Sequence, residues 1–450
     1  MKTLILGGGL AGLASALLAA ARGESVTLLE RDTLGGKSRR VVLEGQTLDT
    51  GPALHSFCGV WRTLLNRAGE SDPLEHLSWP SLGTHHFQGQ TLELPVPPEH
   101  PLFPHWQRYL ERQRPIEVEG LLTTPPRLTD PRFVRLSAGL ARVHGLHFSA
   151  RAYLNSLELP ELLRESLAIH ALNAGIGSQR APALYASLPA LMLEDGLSVP
   201  KGGVFELTRT LEQMCSERGV ELLEHTPVTK VEPGRVWAGE RSWPFERLIS
   251  SLDFGRLEAL RGRPVHIPKR RTCSGVAIYA ILEEPLDLPL SSVVLPDDPA
   301  ALERDLWNLK EPFQTMAFLN HYPPHGVYPQ NTRAVLSILL TAPASGRNYA
   351  LESEWVGQQL AWLERVLQRR LRQAMRLSAT FHPQYFQEGG AWGGAIYGVA
   401  RALWQAGPFH TPGHRLEREL WRVGTSVHPG GGIPGVLGGA LMVDTLIRQG

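Results

Sequence analysis

Apolar and polar positions divide the first thirty residues into strand, turn, helix and strand. Residues 3–6 (TLIL) form a short apolar run of the kind that makes a buried strand. A glycine turn, Gly7-Gly8-Gly9-Leu10-Ala11-Gly12, breaks it. Residues 11–22 are rich in alanine and leucine, which have high helix propensity, and predict a helix ended by Gly23. Residues 25–29 (SVTLL) predict a second strand, closed by Glu30. Farther on, residues 205–218 space their apolar side chains as an amphipathic helix does, with strands expected at 219–223, 226–231 and 248–252. Apolar runs at 274–282 and 334–340 predict strands, and 352–376 predicts a long helix. The C-terminal end reads as a strand near Trp421, a Gly/Pro-rich turn, and a helix over residues 436–447.

Residues 3–21 carry no charge, so on hydropathy alone they also match a secretory signal or a short membrane span. The order of elements separates these readings. Strand, G-x-G-x-x-G turn, helix, second strand and terminal acid fall in register within about 30 residues, as a dinucleotide-binding unit requires. Gly7 permits the tight turn, Gly9 lets the backbone approach a pyrophosphate, and Gly12 lets the helix pack closely on the strand. The helix N-terminus offers free N–H groups and a partial positive charge to the phosphates. Glu30 is placed to accept hydrogen bonds from the adenosine ribose, and its charge disfavours a 2′-phosphate, hence NADP.

The residues that follow narrow the choice of dinucleotide. Arg31 to Lys37 ends in a Gly35-Gly36-Lys37 turn, and Asp49-Thr50-Gly51 adds a D-x-G turn a dozen residues later. An acid-ended strand, a Gly-Gly-basic turn and a D-x-G turn are the arrangement of flavoprotein oxidases and desaturases, and the doublet is not expected in nicotinamide dehydrogenases. At the other end, Gly424-Thr425-Ser426-Val427-His428-Pro429-Gly430-Gly431-Gly432-Ile433-Pro434-Gly435-Val436 presents a second helix N-terminus through a Gly-rich loop. That suits a flavin ribityl chain or the pyrimidine edge of its ring. The nearest thing to a second nucleotide turn, residues 173–178 (NAGIGS), lacks the third glycine and a following acidic strand.

With these stretches in view, the chain resembles the FAD-dependent carotenoid desaturases of the bacterial phytoene desaturase type. The matching segments are LILGGGLAGLASALLAAARGESVTLLERDTLGGKSRR, LDTGPALHSF, the APALY…PKGG stretch from Ala181 on, and LWRVGTSVHPGGGIPGVLGGAL. They span almost the whole chain in the family's order. The run GPALHSFCGVWRTLL is similar to the branch that desaturates hydroxylated carotenoids at their 3,4 positions.

The resemblance implies an α/β fold: a Rossmann-like FAD-binding domain with a second α+β substrate domain built on a mixed sheet and helices. The FAD domain would be discontinuous, from 1–80, 197–251 and 388–450, with 81–196 and 252–387 facing the substrate and membrane. It implies FAD contacts at Gly7, Gly9, Leu10, Ala11, Gly12, Glu30, Arg31, Gly36 and Lys37. Further contacts fall at Gly51, Pro52, Ala53, Leu54, Val228, Gly424, Thr425, Gly432, Ile433, Pro434 and Val436. Two departures stand out. The spacing from Glu30 to Gly35 is one residue shorter than usual, and Lys37 replaces a common arginine, giving a point charge in place of a bidentate fork.

Composition adds bounds. The chain has 450 residues, 45 Lys+Arg and 44 Asp+Glu, which removes the charge imbalance of a dedicated nucleic-acid binder. Three distant cysteines without CxxC spacing argue against a disulfide framework or zinc site, and no other metal-ligand spacing appears. A reducing cytoplasm is the expected compartment. Only six bases are lysine; genome composition accounts for that bias unless the arginines meet phosphates or lipid head groups. Between Arg127 and Arg151 five arginines face one acid, Asp130, and Phe133, Leu136, Leu140 and Val143 recur at helical spacing. A basic amphipathic helix of this kind either lies in a membrane interface or packs on the core.

The expected chemistry is removal of two hydrogens from a polyene, with flavin N5 as hydride acceptor and a protein group taking the proton. His428 is the candidate base, because an imidazole titrates near neutrality. His55 and Tyr185 are candidate tunnel-lining residues. The partners expected are a carotenoid or other long apolar polyene, oxygen or quinone as terminal acceptor, and the surface of the cytoplasmic membrane. Isomerisation or ketolation on the same fold, or a non-catalytic lipid escort, are the competing readings.

Overall fold

A computed structural model of the chain describes residues 1–265, 268–401 and 413–449. The first strand, Lys2–Leu6, lies at the centre of a five-stranded parallel sheet. Ser25–Leu29 and Arg247–Ser250 flank it, with Leu4 opposite Thr27 on one side and Leu248 on the other. Glu221–Leu223 and Leu420–Arg422 form the edges. This sheet therefore draws on three separated stretches of sequence.

Parallel sheets need cover on both faces. The helix Leu10–Ala21 supplies it, and residues 10–19 are all buried. Phe205–Glu217 and the C-terminal helix Ile433–Arg448 pack against it. That enclosure explains the uncharged N-terminal run: a helix covered all round has no solvent face to carry charge. Charge returns at its end. Asp444 of the C-terminal helix is 1% exposed and accepts from Arg22, Arg67 (3.0 Å) and Arg448 (2.8 Å). One buried carboxylate thus ties three helices together.

The second sheet has seven strands and is mixed. Its order is Met375–Phe381, Ser274–Leu282, Val335–Ala342, Ala317–Tyr322, Ser291–Val294, Gly83–Phe87, Gln90–Leu94. All pairs are antiparallel except Ser291–Val294 with Gly83–Phe87. Ser274–Leu282 is buried at every position, as its continuous apolar run predicts. Helices between residues 103 and 195 cover the end that approaches the first sheet.

Several expectations change. The long helix expected over 352–376 stops at Leu367, where Gln368 turns left-handed with φ +52. Residues 375–381 then pair with Ser274–Leu282 as the sheet's edge strand. The stretch expected as a strand at 226–231 pairs only from Lys230, in a separate three-stranded sheet. The C-terminal helix begins at Ile433, three residues earlier than its apolar spacing shows. The basic helix runs Pro131–His144, with Asp130 capping it through the Arg132 N–H (2.8 Å). Its stripe of Phe133, Leu136 and Val143 is buried against the core, which settles the helix's packing. Arg151 pairs with Glu165 at 2.5 Å and leaves the surface basic cluster.

Candidate functional site

The glycine turn forms because strand and helix meet with no room for side chains. Gly7 has φ +93, and its N–H donates to the Leu29 carbonyl at 2.9 Å. A Cβ on Gly12 would lie 1.9 Å from the Gly7 oxygen, so only glycine lets the helix seat there. Glu30 ends the second strand; its carboxylate accepts from the Gly8 N–H (2.6 Å) and the Asp32 N–H (2.9 Å). The acid is thereby fixed beside the turn. Val228 lies close by, half-buried, past the Thr226 N–H that donates to the Glu30 carbonyl at 2.7 Å.

The Gly-Gly turn folds back onto the first. Gly35 donates its N–H to the Gly8 carbonyl at 2.9 Å, and a Cβ on Gly36 would stand 3.1 Å from the Gly9 Cα. Two backbones meet edge to edge, which accounts for the doublet. The D-x-G turn stacks on this pair: a Cβ on Gly51 would approach the Lys37 oxygen to 2.6 Å, and the Gly51 N–H donates to the Tyr279 hydroxyl at 3.1 Å. Pro52, Ala53 and Leu54 follow it, half-buried. Asp49 itself is 3% exposed, ion-paired to Arg40 at 2.7 Å, and accepts from the Phe205 N–H at 2.8 Å. It holds the Lys201-Gly202-Gly203 loop, since a Cβ on Gly203 would fall 2.1 Å from its oxygen.

The C-terminal loop closes the arrangement. Gly424 has φ +88, and a Cβ there would come 3.8 Å from that of Ala11. The two Gly-rich ends of the chain are thus neighbours. Thr425 is half-buried beside it, and Gly432, with φ +80, leads into Ile433, Pro434 and Val436 in the first turn of the C-terminal helix. Leu10 and Ala11 open the N-terminal helix. Neither helix has a capping side chain or an acid in its first turn. Glycine backbones, two uncapped helix N-termini and an anchored acid fit FAD: N–H groups for its phosphates and flavin edge, and a carboxylate for its ribose.

Other expected residues meet partners within the protein. Arg31 pairs with Asp32 at 2.9 Å and donates to the Glu388 carbonyl at 3.0 Å, so its guanidinium is engaged by protein. Lys37 is exposed and donates to the Ile396 carbonyl. His55 is 1% exposed and packed against Trp61 and His76. His428 sits in the turn, but burial and then neighbouring His414 lower it to about 3. Residues 173–178 run into the carboxylate of Glu303, which accepts from the N–H groups of Ser178 (2.7 Å) and Gln179 (3.1 Å). An acid already satisfies those donors.

One residue escaped the sequence reading. The Tyr397 ring stands between the C-terminal loop and the Gly175 turn: a Cβ on Gly431 would lie 2.2 Å from it, and one on Gly175 2.9 Å. Tyr185 lies on the short turn Ala183–Ala186, which packs on Ile169–Ala174 just before Gly175; burial pushes both phenols above their ordinary values. Both rings are half-buried, and neither hydroxyl hydrogen-bonds among the described residues. The signal that could have found Tyr397 is the glycine density of GGAWGGAIYG at 389–398.

Fold and site together define a flavin-binding oxidoreductase. A family model described as flavin containing amine oxidoreductase matches residues 10–346, and the chain belongs to that family. It is an FAD-dependent oxidoreductase of the carotenoid desaturase type. It is similar to the 4,4'-diapophytoene desaturase (4,4'-diaponeurosporene-forming) of Staphylococcus haemolyticus, 24% identical over 97% of this chain and 96% of that protein. A 4,4'-diapolycopen-4-al dehydrogenase of Metabacillus indicus is also 24% identical, over 100% of this chain and 97% of its own. Among solved structures, putrescine oxidase bound to putrescine matches with a TM-score of 0.68 at 15% identity, covering 100% of both chains; this likeness shows the fold.

Proposed function

We propose that the protein introduces C=C double bonds into a carotenoid, of phytoene type or hydroxylated and desaturated at its 3,4 positions. The observation that carries this reading is the end-to-end similarity to a diapophytoene desaturase, on a chain whose glycine cradle fits FAD. Bound FAD would supply the two-electron acceptor. The chain's own part is positional. Gly7, Gly9, Gly12, Gly36 and Glu30 hold the adenosine diphosphate half, and Gly424, Thr425 and the turn before Ile433 hold the flavin end. Residues 1–80, 197–251 and 388–450 serve this role, and 81–196 with 252–387 serve the substrate.

Tyr185 and Tyr397 flank the polyene where it crosses the flavin, and their rings keep water from the reacting carbons. Their hydroxyls can donate to an oxygen on the substrate end, which favours the hydroxylated class. The enzyme works in the cytoplasm at the membrane surface, and oxygen or quinone reoxidises it.

The test is expression in a host that makes lycopene and, separately, in one that makes a 1-hydroxylated carotenoid. The expected product has lost two hydrogens per step and absorbs farther to the red. Unchanged pigments in both hosts would refute the reading. A product isomerised at equal mass, or one that has gained oxygen, would replace it with isomerisation or ketolation.

A further inference from the structure

With the apolar stripe of helix Pro131–His144 buried, the surface around it stands out for a different set of side chains. Ten large apolar side chains are exposed among the described residues, and four fall within one short stretch: Leu128 (64%), Val134 (49%), Leu146 (87%) and Phe148 (73%). Exposed apolar side chains scattered singly need no explanation, but a cluster does. Arg127, Arg132, Arg135 and Arg142 are exposed beside them. The acids that face these groups are Asp130, which caps the helix, and Glu117, 3.6 Å from Arg135. Arg132 and Arg142 make no ion pair among the described residues.

This stretch connects to the site. The Phe148 carbonyl accepts from the Ala183 N–H at 2.9 Å, Ala150 donates to Ala181 at 2.9 Å, and His144 meets the Ser187 hydroxyl at 2.9 Å. Residues 144–150 are therefore zipped along the segment that carries Tyr185, and that turn packs on Ile169–Ala174, which leads into Gly175 beside the Tyr397 ring.

We infer that residues 127–148 form a lipid-docking surface, with Leu146 and Phe148 entering an anionic bilayer, and that the polyene passes from the bilayer alongside residues 145–149 to Tyr185. The unpaired arginines supply the charge complementarity to anionic head groups, and the loop's apolar side chains supply the depth. Docking to lipid is independent of the substrate; the passage of a polyene rests on the carotenoid reading above.

The test uses the FAD-loaded full chain with phosphatidylcholine vesicles, with and without phosphatidylglycerol, read by co-sedimentation. The L146S/F148S double variant is expected to lose about tenfold or more in partitioning to both vesicle types. The R132E/R142E variant should lose the preference for phosphatidylglycerol and keep part of its binding. Phe313→Ser, at an equally exposed position outside the stretch (89%), should bind as the parent does. Flavin absorbance and circular dichroism check that each variant is folded. Failure of the parent to sediment with either vesicle, or parent-like binding by L146S/F148S, would overturn the docking surface. Carotenoid offered in vesicles and in detergent then separates the two claims. A lower vesicle-to-detergent rate ratio for L146S/F148S supports the entry route, and an unchanged ratio overturns it. A parent that binds vesicles but converts carotenoid in neither form defeats the carotenoid reading alone.

Discussion

The cofactor cradle and the substrate side are built from different materials. The cradle is backbone: Gly12 against Gly7, Gly36 against Gly9, Gly424 beside Ala11, all places where a Cβ would intrude or crowd. The substrate side proposed above would instead be made of side chains from distant segments, with Tyr185 on the turn Ala183–Ala186 and Tyr397 more than two hundred residues later. A backbone device needs glycine at fixed spacing and leaves a mark in sequence. A wall of aromatic side chains needs only bulk in the right place, and many residues far apart in sequence can supply it.

The sharpest way to break this contrast is Gly12→Val. Its Cβ would overlap the Gly7 oxygen, so the purified protein should hold no flavin, or fail to fold. A variant that keeps the parent's flavin absorbance would show that the helix can move away. A second large effect is acid destabilisation. Burial holds His55, His144, His170 and His414 at about 4 and His428 at about 3. In the unfolded chain they titrate near 6.5, so between about 6.5 and 4 it binds more protons than the folded one. Stability present above about pH 6.5 is lost as pH falls. Thermal midpoints at pH 7, 6 and 5 should drop in order; a flat profile would mean these imidazoles are not shielded.

Asp444→Ala tests the tie beneath the cradle. It leaves Arg22 with Glu24 alone and removes the shared partner of Arg67 and Arg448, and should cost about 3 kcal/mol in denaturant unfolding. A cost below about 1 kcal/mol would reduce that cluster to an ordinary surface ion pair. Tyr397→Ala addresses the other side: flavin content should be kept while kcat/KM for the carotenoid falls about tenfold. Loss of flavin instead would move Tyr397 into the cradle. The smallest effect is expected from Arg31→Ala, because Arg31 is exposed and already paired with Asp32. Flavin affinity should stay within about twofold; a larger loss would restore Arg31 as a cofactor contact.

The sequence was most legible where a local rule has one physical solution. The turn at Gly7–Gly12, the strand Ser25–Leu29 and the acid Glu30 follow one another in a single unit, and each constrains the next. Legibility failed where tertiary partners decide. The apolar spacing of 352–376 cannot announce that residues 375–381 will be recruited as an edge strand. The stripe of Phe133, Leu136 and Val143 reads alike whether it meets lipid or core, and only the fold shows that Leu146 and Phe148 are the exposed ones. His428 drew notice as an imidazole in the Gly-rich C-terminal turn, and burial followed by neighbouring His414 lowers its basicity, which the sequence alone does not show. Asp444 gave no signal, since the three arginines that meet it come from positions 22, 67 and 448.

The central claim is that bound FAD takes two electrons from a carotenoid held against Tyr185 and Tyr397. The most direct measurement is anaerobic mixing of the FAD-loaded protein with a vesicle-borne carotenoid, following the flavin and polyene bands together. The account predicts that the flavin band bleaches in step with a red shift of the polyene, and that the product has lost two hydrogens. A polyene changed without flavin bleaching, or a flavin that stays oxidised beside an unaltered polyene, would contradict it.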